Sequence, residues 1–423
     1  MGKKTLLLGA GFSYELGMPL AFDLTKDFYS KFSPFTMLRL INLLKRNEPY
    51  GKERPIDKNT LDDIGILYSQ YRKNKINYEK MILELETLKD HNNTNISISD
   101  TYHYYIGVVQ YLLSQILWEH QEKKYDIFQE YQYLYNDLSD FLSDEEEVYV
   151  FTLNHDICFE MLCLDMGLPF SFGTDKSREY YRTNLNQHEK VYFTYMEREN
   201  LLSKKYSFVN CKSYFNLIKL HGAFNEFSFE DNKKIAYIDH KNCKTSGEYL
   251  ECVRIAWNDT HYFMNGQDIK LTEFIPVTDN NGEFQIVGRS VMIGGKKYSI
   301  TINPKTGDDK LQLFDKILDE TDELTIIGYG FADRHINTRI YNSMVRNENL
   351  KIKRIDPNNF KTPELFEPLD YDLRFTGAMC TAVQWLHYRR TQNWDYDCLN
   401  KSKDFISRRQ IFDEDFRKHI IKI

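Results

Sequence analysis

Five short apolar runs, each stopped by a glycine or polar turn, constrain this 423-residue chain more than any other feature. Lys4 to Leu8 ends in Gly9-Ala10-Gly11-Phe12-Ser13, and Val148 to Leu153 ends in Asn154-His155-Asp156. Phe215 to Leu220 ends in His221-Gly222, Glu323 to Ile327 in Gly328-Tyr329-Gly330, and Lys351 to Ile355 in Asp356-Pro357. Runs of this length with such boundaries read as buried strands. Between the first two, residues from about 20 to 145 read as helical. Tyr78, Met81, Ile82, Leu85 and Leu88 recur on one helix face, with Glu79, Lys80, Glu84 and Glu86 between them. Strands alternating with helices predict an α/β fold with a parallel sheet. In such sheets ligands sit at the carboxyl ends of the strands, so these turns are the candidate sites.

Lys45 to Asn59 and Asp90 to Asp100 read as polar loops. Ile235 to Asp308 lacks a helical period and carries the turn signals Asn281-Gly282 and Gly294-Gly295, which reads as a β-rich insertion. Leu311 to Leu318 reads as a helix. Tyr104 to Trp118 is the most apolar long stretch, but Gln110, Ser114 and Gln115 interrupt it, and a membrane helix needs about 18 apolar residues or more. It reads as a buried helix. Lys3 and Lys4 precede an apolar patch that Ser13, Tyr14 and Glu15 break at once, so no signal peptide is expected.

Composition narrows the function classes. With 42% hydrophobic and 15% aromatic residues the chain can bury a sizeable core, which excludes disorder as the main state. The charge balance, 55 − 62 = −7, argues against a stand-alone nucleic-acid binder. Seven cysteines, an odd number, fit reduced thiols in a cytosol better than a disulfide framework. The expected location is cytoplasmic.

Each turn admits a chemical and a structural reading. Gly9 and Gly11 allow backbone amides to approach a pyrophosphate, or simply form a tight turn. The spacing is neither G-x-G-x-x-G nor a P-loop. Thr152, Asn154 and Asp156 alternate, so they converge on one side; an Asn or Asp helix cap would account for one of the three. His221 at a strand end is a candidate general base, since imidazole titrates near neutrality, although most histidines are structural. Asp333 and His335 follow the fourth strand, but two ligands do not make a metal site. Asp356 sits where an acid often takes a ribose hydroxyl, or it makes an Asp-Pro turn.

Taken together and in this order, the turns resemble those of the sirtuin family. More closely, they look like the divergent sirtuin-like NAD+-consuming domains of bacterial anti-phage systems. The matched elements are Gly9 to Ser13, Thr152-x-Asn154-x-Asp156, His221-Gly222 and Gly328 through Asn337, with Tyr78 to Leu88 similar to the family's acidic amphipathic helix. The resemblance implies a Rossmann-like, mostly parallel sheet in a catalytic domain over 1–362. It implies a helical insertion at about 20–145 and a smaller β-rich insertion at about 230–308. Residues 363–423 remain an unmatched C-terminal extension and an interface candidate.

The resemblance assigns Gly9, Ala10, Gly11, Phe12 and Ser13 to the NAD+ phosphates and ribose, with Thr152 beside them. Asn154 would position the attacking water, Asp156 would hold the nicotinamide carboxamide, and His221 would act as base on a ribose hydroxyl. Gly328, Phe331, Asp333 and Asp356 would line the adenosine side. The chain departs from the family in having no Cys-x-x-Cys pair, and deacylating sirtuins carry two in a zinc ribbon. His240, Cys243, Cys252 and His261 do not have a structural zinc spacing, so no metal is expected. The expected activity is hydrolysis of NAD+ to nicotinamide and ADP-ribose, which depletes the cofactor during infection. A NAD+-dependent protein deacylase and a non-catalytic NAD+ or ADP-ribose sensor are the alternatives. A toxic hydrolase must be restrained, so self-association or a separate sensor such as a HerA-family ATPase or short Argonaute is expected. No membrane and no direct nucleic-acid partner are expected.

Overall fold

The computed structural model describes residues 3–46, 56–142, 147–174, 176–184, 187–203, 213–230, 232–257, 260–264, 267–271, 274–291, 308–358, 364–369, 373–394 and 396–418. The chain opens with β1 (Lys3–Leu8) and the short α1 (Ala10–Tyr14). A helical series follows: α2 (Ala21–Lys31), α3 (Pro34–Arg46), α4 (Lys58–Lys73), α5 (Tyr78–His91), α6 (Ile96–Lys123) and α7 (Tyr125–Tyr131). A 3-10 helix, Gln132–Phe141, leads to β2 (Val148–Thr152), α8 (Cys158–Asp165) and β3 (Phe170–Ser171). Next come β4 (Lys176–Asn184), β5 (Gln187–Glu197), β6 (Phe215–Lys219), β7 (Glu226–Phe229), β8 (Lys234–Ile238) and α9 (Ser246–Trp257). Then follow β9 (Thr260–Met264), β10 (Gln267–Leu271), β11 (Phe274–Asp279), β12 (Phe284–Arg289) and α10 (Asp308–Leu318). The chain closes with β13 (Thr321–Ile327), α11 (Arg334–Arg346), β14 (Lys351–Ile355), β15 (Phe375–Ala378), α12 (Ala382–Thr391) and α13 (Tyr396–Lys418).

These elements form two compact units. The described residues of the first lie within 3–18, 121–291 and 308–400; those of the second lie within 19–120 and 401–418.

The first unit is mixed α/β. Its main sheet has seven strands in the order β15-β14-β13-β1-β2-β6-β3. Every neighbouring pair is parallel. All five residues of β2 and of β6 are buried, the continuous apolar run expected of strands covered on both faces. Strand β1 sits centrally: Leu8 pairs with Thr152 on one side and with Ile327 on the other. After β1 the chain goes to β2; later it returns to β13 on the opposite flank. The same unit holds a separate closed antiparallel barrel of six strands, β11-β12-β7-β8-β5-β4. Strands β9 and β10 form a two-stranded ribbon.

The second unit is helical. Helix α5 starts at Tyr78 behind an Asn77 cap and buries Tyr78, Met81, Ile82 and Leu85, four of the five positions on the expected face. Tyr105, Val109, Leu113 and Ile116 of α6 are all but fully buried, so the Tyr104 to Trp118 stretch is an interior helix. Among the described residues no helix is long and apolar enough to cross a membrane.

Several sequence expectations need correction. Asp90 to Asp100 is not a loop: α5 runs to His91 and α6 begins at Ile96, leaving only a short break. Its Asn content reads as a turn, but Asn92 Nδ2 donates to the Leu88 carbonyl at 2.8 Å and Asn95 Oδ1 accepts the Ile98 amide at 3.4 Å, so these side chains bond to the flanking helices. The β-rich region begins at Lys176, because β4 and β5 are barrel strands, and it contains helix α9. Tyr249, Leu250, Val253, Ala256 and Trp257 are buried at helical spacing in α9, a period hidden among short strands. The main sheet extends past Asp356, since β15 pairs with β14 inside the segment read as an extension. Asn281-Gly282 does form the turn between β11 and β12, with Gly282 at φ +81°. Gly294-Gly295 lies outside the described residues.

Candidate functional site

The turns that follow β1, β2, β6 and β13 lie at the carboxyl ends of neighbouring strands. The first and last interlock through their glycines. A Cβ on Gly9 would stand 2.6 Å from the Gly328 carbonyl oxygen, and one on Gly11 would stand 2.6 Å from the Gly328 Cα. Gly328 itself has φ +66°, a region that side chains rarely adopt. The Gly9 amide donates to the Ile327 carbonyl, that of Gly11 to the Gly328 carbonyl and that of Phe12 to the Gly9 carbonyl, each at 2.9 Å. Those three amides are therefore engaged within the protein. Phe12 points inward, edge-on to Tyr135 at 5.3 Å, and the Tyr135 hydroxyl donates to the Phe12 carbonyl. Ala10 begins α1 and is half-buried.

The second turn folds onto the first. Asn154 donates through Nδ2 to the Gly9 carbonyl at 2.9 Å and to Ser13 Oγ at 3.1 Å. Ser13 Oγ donates in turn to Asp156 Oδ1 at 3.0 Å. The Asn154 amide donates to Thr152 Oγ1, and the Cys158 amide at the start of α8 donates to Asp156 Oδ1. The four side chains Ser13, Thr152, Asn154 and Asp156 are all buried. Convergence and helix capping are both realised here: Asp156 joins the cluster and satisfies an orphan amide of α8.

Strand β6 runs beside β2 with Thr152 in register with Lys219, so Asn154 and His221 each lie two residues beyond one rung. Adjacent strands are about 4.8 Å apart, which brings both side chains to one end of the sheet. His221 is buried, and its Nε2 lies 3.1 Å from Asp333 Oδ2. Asp333 also caps α11, its Oδ1 accepting the His335 amide at 3.1 Å. One carboxylate thus ends a helix and lies beside an imidazole. The Tyr329 hydroxyl accepts the Asp333 amide at 3.1 Å, and Asn337 Nδ2 donates to the Phe331 carbonyl. These bonds hold Phe331 at φ +56°.

Asp356 is buried, but it is already committed. Its Oδ2 accepts from Arg354 at 3.0 Å and its Oδ1 accepts the Asn358 amide at 2.9 Å. The Arg354 guanidinium lies over the Phe331 ring, 5.1 Å from its centroid. Phe331, Arg354 and Asp356 therefore form one contact chain behind the fourth turn.

Beneath the turns lies an ionic network that the sequence reading missed. Lys219 Nζ donates to the Asp156 carbonyl at 2.7 Å and to Glu160 Oε2 at 3.0 Å. Asn225 Nδ2 lies 2.8 Å from Glu160 Oε1 and 2.7 Å from the Tyr249 hydroxyl. Lys310 Nζ donates to the Lys219 carbonyl and pairs with Glu226. Burial pushes the Glu160 carboxyl up and the Lys310 ammonium down, each opposed by its ion-pair partner. Lys219, one step before Leu220-His221 in a wholly buried strand, was the visible signal. His155 was missed too; its ring lies 6.4 Å from that of His221.

Among the described residues no group of three or more His, Cys, Asp or Glu could hold a metal ion. A cavity of about 590 Å³ opens elsewhere in the first unit, lined by Lys4, Glu323, Lys353, Trp385 and Trp394 among others. None of the expected site residues lines it. No known family model matches the chain, and no curated protein matches it either.

Proposed function

We propose that this chain is a cytoplasmic NAD+ glycohydrolase with a Rossmann-like sheet, releasing nicotinamide and ADP-ribose and depleting the cofactor in an anti-phage response. One observation carries the reading: the Ser13–Asn154–Asp156 cluster and the His221–Asp333 pair arise from adjacent strands at one end of a parallel sheet. The chain leaves β1 to one side and returns on the other at β13, and ligands of open parallel sheets bind at such a reversal. In the reaction the C1′–N1 bond breaks with its electron pair going to nicotinamide. The pyridinium thereby becomes a neutral leaving group that needs no general acid. Water oxygen bonds to C1′ and its proton passes to solvent, while His221 acts as base on a ribose hydroxyl. Asn154 positions the water, and Asp156 holds the carboxamide. Any deacylase activity would proceed without a Cys-x-x-Cys ribbon. Restraint of the hydrolase falls to self-association or to a separate sensor subunit such as a HerA-family ATPase.

A second reading, a module that binds NAD+ or ADP-ribose without turnover, draws on a different observation. Ser13, Asn154 and Asp156 bond to one another, and the amides of Gly9, Gly11 and Phe12 are taken. The test measures nicotinamide released from NAD+ by the full chain, alone and with the products of neighbouring genes. Turnover that falls at least about 100-fold in Asn154→Ala and His221→Ala supports the hydrolase. Turnover untouched by both substitutions removes the site assignment, and tight binding without product under every condition favours the second reading.

A further inference from the structure

We infer that Cys243 and Cys252 form a redox-active dithiol, a site of reversible oxidation to a disulfide by peroxides or by small-molecule disulfides. Their sulfurs lie 3.7 Å apart, and both thiols are free. Disulfide sulfurs lie about 2.05 Å apart, so bond formation requires an approach of roughly 1.6 Å. The two sides differ in their freedom to move. Cys252 is in α9, fixed by buried neighbours Tyr249, Val253 and Ala256. Cys243 lies in the turn between β8 and α9, with its amide bonded to the His240 carbonyl at 2.9 Å. The turn can therefore supply the approach without unwinding the helix.

The pair is also asymmetric in a way that fits its chemistry. Cys252 is partly exposed, whereas Cys243 is buried. The hydrogen bond between them lowers the Cys252 thiol and raises that of Cys243. Cys252 is thus the sulfur that meets the oxidant, and Cys243 is the resolving thiol. With a peroxide, the Cys252 thiolate attacks one oxygen, the O–O bond breaks, and a sulfenic acid forms while hydroxide leaves. The Cys243 sulfur then attacks the Cys252 sulfur, the S–O bond breaks and water leaves. The two sulfurs are oxidised and the peroxide is reduced. With a small disulfide, two exchange steps lead to the same bond and release two thiols.

The pair stands apart from the remaining described cysteines. Cys158, Cys163 and Cys380 are buried, and burial pushes the thiols of Cys158 and Cys163 well up. This chemistry holds whether or not the chain hydrolyses NAD+.

The experiment exposes the folded full chain to stoichiometric hydrogen peroxide or oxidised glutathione, alkylates it, and maps peptides without reduction. The expected product links the peptides of Cys243 and Cys252, lighter by two hydrogens, and dithiothreitol reverses it. Cys243→Ala should abolish the link and leave Cys252 as a dimedone-reactive sulfenic acid, several-fold more abundant than in the parent. Cys252→Ser should leave Cys243 reduced. The inference is overturned if the native chain gives no linked peptide, if the link forms only in denaturant, or if parent and Cys243→Ala trap equal amounts of dimedone adduct.

Discussion

At Gly222 no side chain fits. The residue has φ +69°, and an added Cβ would stand 1.9 Å from the Ser290 carbonyl oxygen. Gly222→Ala meets both left-handed strain and a backbone clash, so it should lose more than about 3 kcal/mol of stability in urea denaturation. A loss below about 1 kcal/mol would show that the Ser290 segment yields instead. Lys219 acts through charge. Lys219→Met strands the Glu160 carboxylate in a buried site and should cost about 3–5 kcal/mol by guanidinium denaturation. Adding Glu160→Leu should restore most of it, because the carboxylate left without its ammonium is then gone; a double variant no better than the single would locate the loss in packing. The site was legible where a polar or glycine residue interrupts a buried strand, as at Gly9, Asn154, Asp156 and His221. Its pairings were not. Asp333 to His221, Arg354 to Asp356 and Glu160 to Lys219 depend on strand register and helix ends. With 62 acidic residues in the chain, the partner of any one base cannot be chosen by inspection.

At the scale of elements, the five strands read from apolar runs all exist: β2 and β6 are buried at every position, whereas β14 is marked by Ile352, Arg354 and Ile355 buried between an exposed Lys351 and a half-buried Lys353. Strand β15 escaped notice because it is an edge strand whose middle residues are exposed, so little in Phe375 to Ala378 marks it as apolar. Helix α13 escaped for a related reason. Among its described residues the buried positions Phe405, Arg409, Asp413 and Phe416 lie on one face, but two of these four are charged. Arg409 and Asp413 neutralise each other at 3.2 Å, one turn apart. The end of that helix docks on charge as much as on apolar area. Asp27, wholly buried on α2, meets Arg417 Nε at 2.6 Å and His120 Nε2 at 2.8 Å. The Phe416 ring lies 4.1 Å from that of His120, with Lys31 Nζ 3.8 Å from its centroid. Asp27→Ala removes the acceptor shared by both bases and should cost about 3 kcal/mol. Limited proteolysis should then cut within the last two turns of α13 well before the parent chain is touched. Unchanged cleavage would mean that Phe416 alone holds the helix.

For the molecule as a whole, a net charge of −7 bears on solubility and steering, not on which residues set its acid stability. His240 supplies a specific term. Its ring stacks on Phe170 at 4.0 Å and meets Phe172 edge-on at 5.8 Å. Burial between these rings disfavours the imidazolium and holds the residue down at about 4, against an ordinary 6.5. Because the folded value lies below the unfolded one, the stabilisation is full above pH 6.5 and is lost as pH falls towards 4. Across that window the loss from this residue is roughly 3 kcal/mol. Glu160 works in the opposite sense: its raised carboxyl favours the fold below its ordinary value of 4.5, and that advantage fades as pH rises. Paired variants separate the two. Denaturation midpoints of the parent should fall between pH 7.5 and 4, and His240→Phe, which keeps the stacked ring without the titrating nitrogen, should flatten much of that fall. If both chains lose stability equally over the window, the acid sensitivity belongs to the carboxylates and His240 has no part in it.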